Sequence, residues 1–166
     1  MKDLDLTIYP DKILRKQLNL VEKVTREEEE TLKKMFNLMH IYKGVGLAAN
    51  QAGIDKQMSV IDLSDGYGPI YIINPKITKK EGTFEMEEGC LSIPGIGVKV
   101  KRAQKVTVEA LNIEGKPIRI IAEGFLARAL QHEIDHLSGK LIIDYLKLPA
   151  RIKVISAFQK KKKGGK

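Results

Sequence analysis

The chain has 166 residues, 43 % of them hydrophobic, enough to bury one compact core without covalent help. Its single cysteine, Cys90, excludes an intramolecular disulfide and points to a reducing compartment. No apolar stretch approaches ~18 residues, and the opening MKDLDLTIYP has no apolar signal core, so a cytoplasmic protein with no membrane segment is expected. The net charge of +8 is first read as a nucleic-acid signal, yet all of the excess lies beyond Asp144, in Lys147, Arg151, Lys153, Lys160 to Lys163 and Lys166. The body is neutral and the end of the chain is a basic arm.

In chain order, residues 25–43 read as the first helix. Thr25 with Glu28 makes a capping-box pattern, and acidic residues crowd the first turn, where the helix dipole favours them. Leu32, Met35, Phe36 and Met39 fall on one apolar face, while Glu29 with Lys33 and Glu30 with Lys34 support the outer one. His40 is a helix-end residue suited to the dipole, and the helix must stop by Gly44. GVGLAANQAG (44–53) follows, small enough for backbone to approach a neighbour closely, with the Gln51 amide beside it. It is not a phosphate loop, because the glycine spacing is unfinished and no Lys-Ser/Thr follows.

The middle is strand-like: MSVIDL (58–63), IYIINP (70–75), GVKV (97–100) and two β-rich runs flanking a hairpin connection at Asn112 to Lys116. Pro94 and Gly95 mark a turn after Cys90. A second helix starts at Gly124 and runs through FLARALQHEIDHL to Ser138 and Gly139. After Pro149, ARIKVISAFQ can form another, with Ile152, Ile155 and Phe158 along one side. Strands between helices, without parallel βαβ alternation, predict an α+β fold with mainly antiparallel sheet. Residues 1–166 are expected to be a single catalytic domain with a short basic tail from about 160.

His132 and His136 are four apart on the second helix, so both imidazoles leave one face and can meet a single cation. Glu133 completes a His-Glu-x-x-His arrangement, in which the histidines bind a Zn²⁺-like metal and the glutamate handles protons. An open catalytic site needs a third protein ligand. No histidine follows His136, and Asp144 is the only later carboxylate, so the soft donor Cys90 is the natural candidate; thiolate with two imidazoles suits Zn²⁺, Fe²⁺ or Co²⁺. Buried filler and a nucleophile paired with histidine are the other readings of Cys90.

Together GVGLAANQ (44–51), EGCLS (88–92) and QHEIDHLSG (131–139) resemble the three signature motifs of peptide deformylases, in order and spacing. TIYPDKILRK, INPKI, GKPIRI and GKLIIDYL resemble the family's opening and connecting segments, so the likeness covers nearly the whole chain. The resemblance implies a deformylase fold around a central metal-binding helix and removal of the formyl group from N-formylmethionyl polypeptides, releasing formate. It puts Cys90, His132 and His136 on the metal, makes Glu133 the acid/base, and assigns Gln51 and the Leu91 N–H to the formyl oxygen. Val45 and Gly46 match positions lining the substrate cleft; Phe125 and Ala129 match positions bordering the methionine pocket. It further implies one divalent cation per chain, Fe²⁺ in the cell with Zn²⁺, Ni²⁺ or Co²⁺ in purified protein, in a monomer of the bacterial type that carries a C-terminal helix. The Lys-rich end is either a solvated, disordered tail or a contact with the ribosome. Two other classes compete with this reading: a metallopeptidase cutting internal bonds, and a binding module whose metal is structural and whose tail docks on RNA.

Overall fold

The computed structural model describes residues 4–165. Helix α1 (Arg26–Ile41) is followed by strands β1 (Gly46–Ala48), β2 (Met58–Ile61), β3 (Ile70–Glu81), β4 (Phe84–Glu88), β5 (Val98–Arg102), β6 (Lys105–Leu111) and β7 (Pro117–Glu123). Helices α2 (Gly124–Leu137) and α3 (Leu148–Gly164) complete the order, with short 3₁₀ turns at Lys12–Arg15, Ala49–Ala52 and Ile142–Tyr145. The strands form a five-stranded sheet in the order β1-β2-β3-β6-β7 and a separate β4-β5 pair. Each of these pairings is antiparallel, as the α+β expectation requires.

Helix α1 starts where the capping box says it should. The Thr25 hydroxyl accepts from the Glu27 N–H, and the Glu28 carboxylate accepts from the Thr25 N–H at 2.9 Å. Its inner face buries Leu32, Met35, Leu38 and Met39 against β1 and β2. A fully buried aliphatic side chain stabilises such a core by about 1.5–3 kcal/mol. On the outer face Glu29 pairs with Lys33 at 2.5 Å, as the spacing predicts, whereas Glu30 takes Arg26 at 2.7 Å.

Three strands were illegible or too short in the sequence reading. β1 lies inside the small-residue stretch and pairs with β2 through Gly46 to Ala48, all buried. β3 runs on to Glu81 because its register against β6 shifts between Ile73 and Lys76. Asn74 sits there with φ of 51°, and its side chain pairs with both backbone groups of Val21; an asparagine tolerates that conformation, and the bulge leaves Pro75 without a ladder bond to donate. β4 is the acidic run itself: Glu85 and Glu87 stand opposite Lys101 and Lys99 on β5, so its polarity is that of a solvated strand face.

α3 differs from its predicted face. Phe158 is buried, with Val154 and Ile155 packed beside it, but Ile152 is 58 % exposed. The packing side is therefore 154, 155 and 158. The helix also continues through Lys160 to Lys163 as far as Gly164. Lysine is a good helix former and its charge suits a helix C-terminus, so the basic run extends the helix instead of departing from it.

Candidate metal centre and cleft

α2 packs its apolar residues Ala127 and Leu130 into a cluster with Val106, Val108 and Ala122 of the large sheet. Gln131 fixes its depth: Oε1 accepts from the Ala103 N–H at 3.1 Å, and Nε2 donates to the carbonyls of Ala103 and Ala127, each at 2.9 Å. With the helix so held, His132 and His136 project together towards the loop after β4. The backbone of the N-terminal segment laces the two opposing loops, since the Thr7 N–H donates to the Gln51 carbonyl at 2.7 Å and the Tyr9 N–H to the Ser92 carbonyl at 2.9 Å.

The ligand atoms of Cys90, His132 and His136 all lie within 4.8 Å of one another. Cys90 Sγ is 3.4 Å from His136 Nε2, which is 3.2 Å from His132 Nε2. A tetrahedral site with metal–sulfur and metal–nitrogen bonds of about 2.3 and 2.0–2.1 Å has S–N and N–N edges of roughly 3.6 and 3.3 Å. The three donors fit a divalent cation, and that fit favours a ligand role for Cys90 over a filler one. His132 Nδ1 is 3.0 Å from the Glu88 carboxylate, which turns its Nε2 lone pair to the site. Asp144, the downstream carboxylate, is instead held by Arg15 at 2.5 Å and by the Leu141 N–H at 2.8 Å. His40 lies apart from the three ligands, 3.2 Å from Asp62 and against the Phe36 ring.

Glu133 is 4 % exposed, and its Oε2 has no hydrogen-bond partner. Burial pushes its carboxyl up to about 7, against the opposing pull of the His132 and Arg102 charges. Burial and the His132 charge hold His136 well below its ordinary value. Burial would also lower His132, but Cys90 and Glu88 outweigh it and raise the imidazole; a cation must displace that proton, so its affinity rises with pH. Gly46 allows Glu133 its position, because a Cβ there would sit 2.3 Å from Oε1.

Gln51 is aimed by its own turn: Oε1 accepts from the Ala48 N–H at 3.0 Å, which leaves Nε2 3.5 Å from Cys90 Sγ and 3.2 Å from Ser92 Oγ. Gln51, Leu91, Glu133 and the Cys90 and His132 ligands line one cleft of about 860 Å³, which Val45, Gly46, Phe125 and Ala129 also line. Val45 and Phe125 are 43 and 45 % exposed and form its rim, whereas Ala129 is buried. Behind the ligands lies a charged network that no sequence motif announces. Glu88 accepts from Arg102 Nε at 2.6 Å and Nη2 at 2.9 Å, and from Arg128 Nη1 at 2.5 Å. Arg102 reaches on to Asp135 at 2.9 Å and to the Tyr145 hydroxyl at 3.0 Å, and that hydroxyl donates to Asp135 at 2.6 Å. Burial would raise the Glu88 carboxyl, but His132 and Arg102 outweigh it and hold it at about 2. The alternation of VKVKR puts Arg102 on the buried parity of Val98 and Val100, which marks its burial but not its partners.

The sequence profile described as polypeptide deformylase matches residues 4–151. A peptide deformylase of Halothermothrix orenii is 52 % identical over 144 residues, 87 % of this chain and 94 % of that protein. The crystal structure of a peptide deformylase from Legionella pneumophila superposes with a TM-score of 0.91 at 43 % identity, covering 98 % of this chain and 96 % of that one. That from Ehrlichia chaffeensis in complex with actinonin has a TM-score of 0.90 at 39 % identity over 97 and 98 %. A profile match over most of the length, with relatives this similar spanning nearly all of it, means that the chain belongs to the polypeptide deformylase family.

Proposed function

We propose that this chain is a single-domain deformylase that hydrolyses the N-terminal formyl group of N-formylmethionyl nascent polypeptides, releasing formate. The observation that carries the reading is the convergence of Cys90, His132 and His136 beside the unpartnered Glu133 oxygen at one cleft. Cys90, His132 and His136 would hold one divalent cation, which supplies a Lewis acid for the formyl oxygen and lowers the pKa of water from about 16 to about 7. Fe²⁺ is the proposed ion in the cell, with Zn²⁺, Ni²⁺ or Co²⁺ able to occupy the same donor set.

Glu133 takes the proton of the attacking water at its carboxylate and returns it to the departing amine nitrogen. The Gln51 amide, oriented by its bond to Ala48, and the Leu91 N–H donate to the oxygen that gains negative charge; preorganised donors of this kind are typically worth on the order of 10²-fold or more each. Val45 and Gly46 guide the peptide along the cleft, while Phe125 and Ala129 border the methionine side chain. The products are formate and a free N-terminus. Among the described residues no helix is long and apolar enough to cross a membrane. We place the enzyme in the cytoplasm, as a monomer whose lysine-bearing α3 end contacts the ribosome.

The test is formate release from a formyl-Met peptide by anaerobically prepared protein loaded with Fe²⁺ or Ni²⁺. No turnover there, or cleavage of internal bonds in an unformylated peptide, would remove the proposal. Cys90→Ser should lower metal content before it disturbs the fold; unchanged content and activity reject the ligand role.

A further inference from the structure

Arg128 stands out among the groups behind the centre. It is 2 % exposed, on α2, four residues before His132. Its guanidinium makes three contacts of different origin: Nη1 donates to Glu88 Oε1 at 2.5 Å and to the Val100 carbonyl at 3.0 Å, and Nη2 donates to the Phe84 carbonyl at 2.9 Å. The plane also lies over the Phe84 ring, 4.4 Å from its centroid. Both strands of the small sheet and the metal-bearing helix therefore meet at one side chain.

Counting acceptor positions on Glu88 gives Arg128 a definite task. A carboxylate has about four lone-pair sites. Oε1 accepts from Arg102 Nε and Arg128 Nη1, and Oε2 faces Arg102 Nη2 and His132 Nδ1. All four are taken, and the one facing His132 is thereby fixed in direction. Arg102 holds the carboxylate from β5 and reaches α2 only indirectly, through Asp135, whereas Arg128 is the cation of α2 itself that binds Glu88 directly, one turn before His132.

We propose that Arg128 is a positioning residue of the metal centre: its fork fixes Glu88 between β4 and α2 and so sets the orientation of the His132 ring. The inference rests on the ligand reading of Cys90, His132 and His136. Charge and geometry make opposite predictions for the loss of this arginine. Removing a cation near a cation site tightens metal binding, whereas loosening an outer hydrogen-bond partner weakens it, typically by about 10–100-fold. Lysine keeps the charge but lacks the planar fork.

The test compares R128K and R128M with the unaltered chain. Zn²⁺ affinity is read by chelator competition, and the His132 Nδ1–H resonance by ¹⁵N-labelled NMR of the Zn²⁺-loaded protein. Both variants should raise Kd about 10-fold or more and shift or broaden that resonance. L32A serves as a control that lowers stability at a distance and leaves both readouts alone. If R128M does not fold, R128K decides. Variants that bind Zn²⁺ as tightly as the unaltered chain, or an R128M that binds more tightly, overturn the proposal while leaving the ligand reading standing; an unaltered chain that binds no Zn²⁺ overturns both.

Discussion

The two sides of α2 are built from opposite chemistry. Towards the five-stranded sheet it presents Ala127 and Leu130 to Val106, Val108 and Ala122. Towards the β4-β5 pair it presents Arg128, His132 and Asp135 to Glu88 and Arg102. The apolar side holds the helix in place and tolerates changes that keep volume. The charged side adds little net stability, because desolvating ions costs about as much as their attraction returns, yet it fixes directions that an apolar contact leaves free. The helix is anchored by one side and aimed by the other.

Changes on the aimed side should strike rate first. Glu133→Gln is expected to cut formate release by about 10²–10⁴-fold with metal content unchanged, measured by steady-state assay beside metal analysis; an active variant would separate Glu133 from the proton transfer. Leu32→Ala, in the core under α1, should do the reverse. It should cost about 2–5 kcal/mol in urea unfolding and leave turnover per folded molecule as it was. An equal loss of turnover would mean that core and centre are not separable.

How much of this was legible in the sequence follows the same division. The capping box at Thr25, the apolar stripe of α1 and the His132/His136 pair are local patterns, each within about two helical turns, and each appears where its spacing puts it. The charged side was not legible, because Glu88 meets Arg102, Arg128 and His132 across 14, 40 and 44 residues of chain. No window of periodicity spans such a distance. β4 was missed for a related reason: its partner across the pair, not its own composition, makes it a strand. On α3 the expected stripe of Ile152, Ile155 and Phe158 holds only in part, because packing with Leu141 to Ile143 and Tyr9 selects Val154 over Ile152.

A smaller effect probes how charge behaves away from the centre. Burial would raise the Glu28 carboxyl, but Lys56 and Thr25 outweigh it and hold it at about 2 rather than 4.5. The folded-state value is the lower one, so the stabilisation is full above about pH 4.5 and is lost as pH falls towards 2. Glu28→Gln should cost about 1–2 kcal/mol at pH 7, and the gap between the two urea midpoints should close across that acid window. A gap that stays constant with pH would assign the effect to packing. Smallest of all, Lys33→Ala removes an exposed pair with Glu29 and should leave the midpoint within measurement error.

The lacing of the cleft by Thr7 and Tyr9 runs through main-chain atoms alone. Substitution and deletion therefore have unequal meaning in that stretch. Exchanging Thr7 for another residue with an N–H keeps its donor, whereas Leu4, Leu6, Ile8 and Tyr9 also pack their side chains against the cores, and a cut after Ile8 removes the Thr7 donor to the Gln51 turn outright. For anyone engineering the protein, Thr7 is a place to recode and the N-terminal segment is not a place to trim.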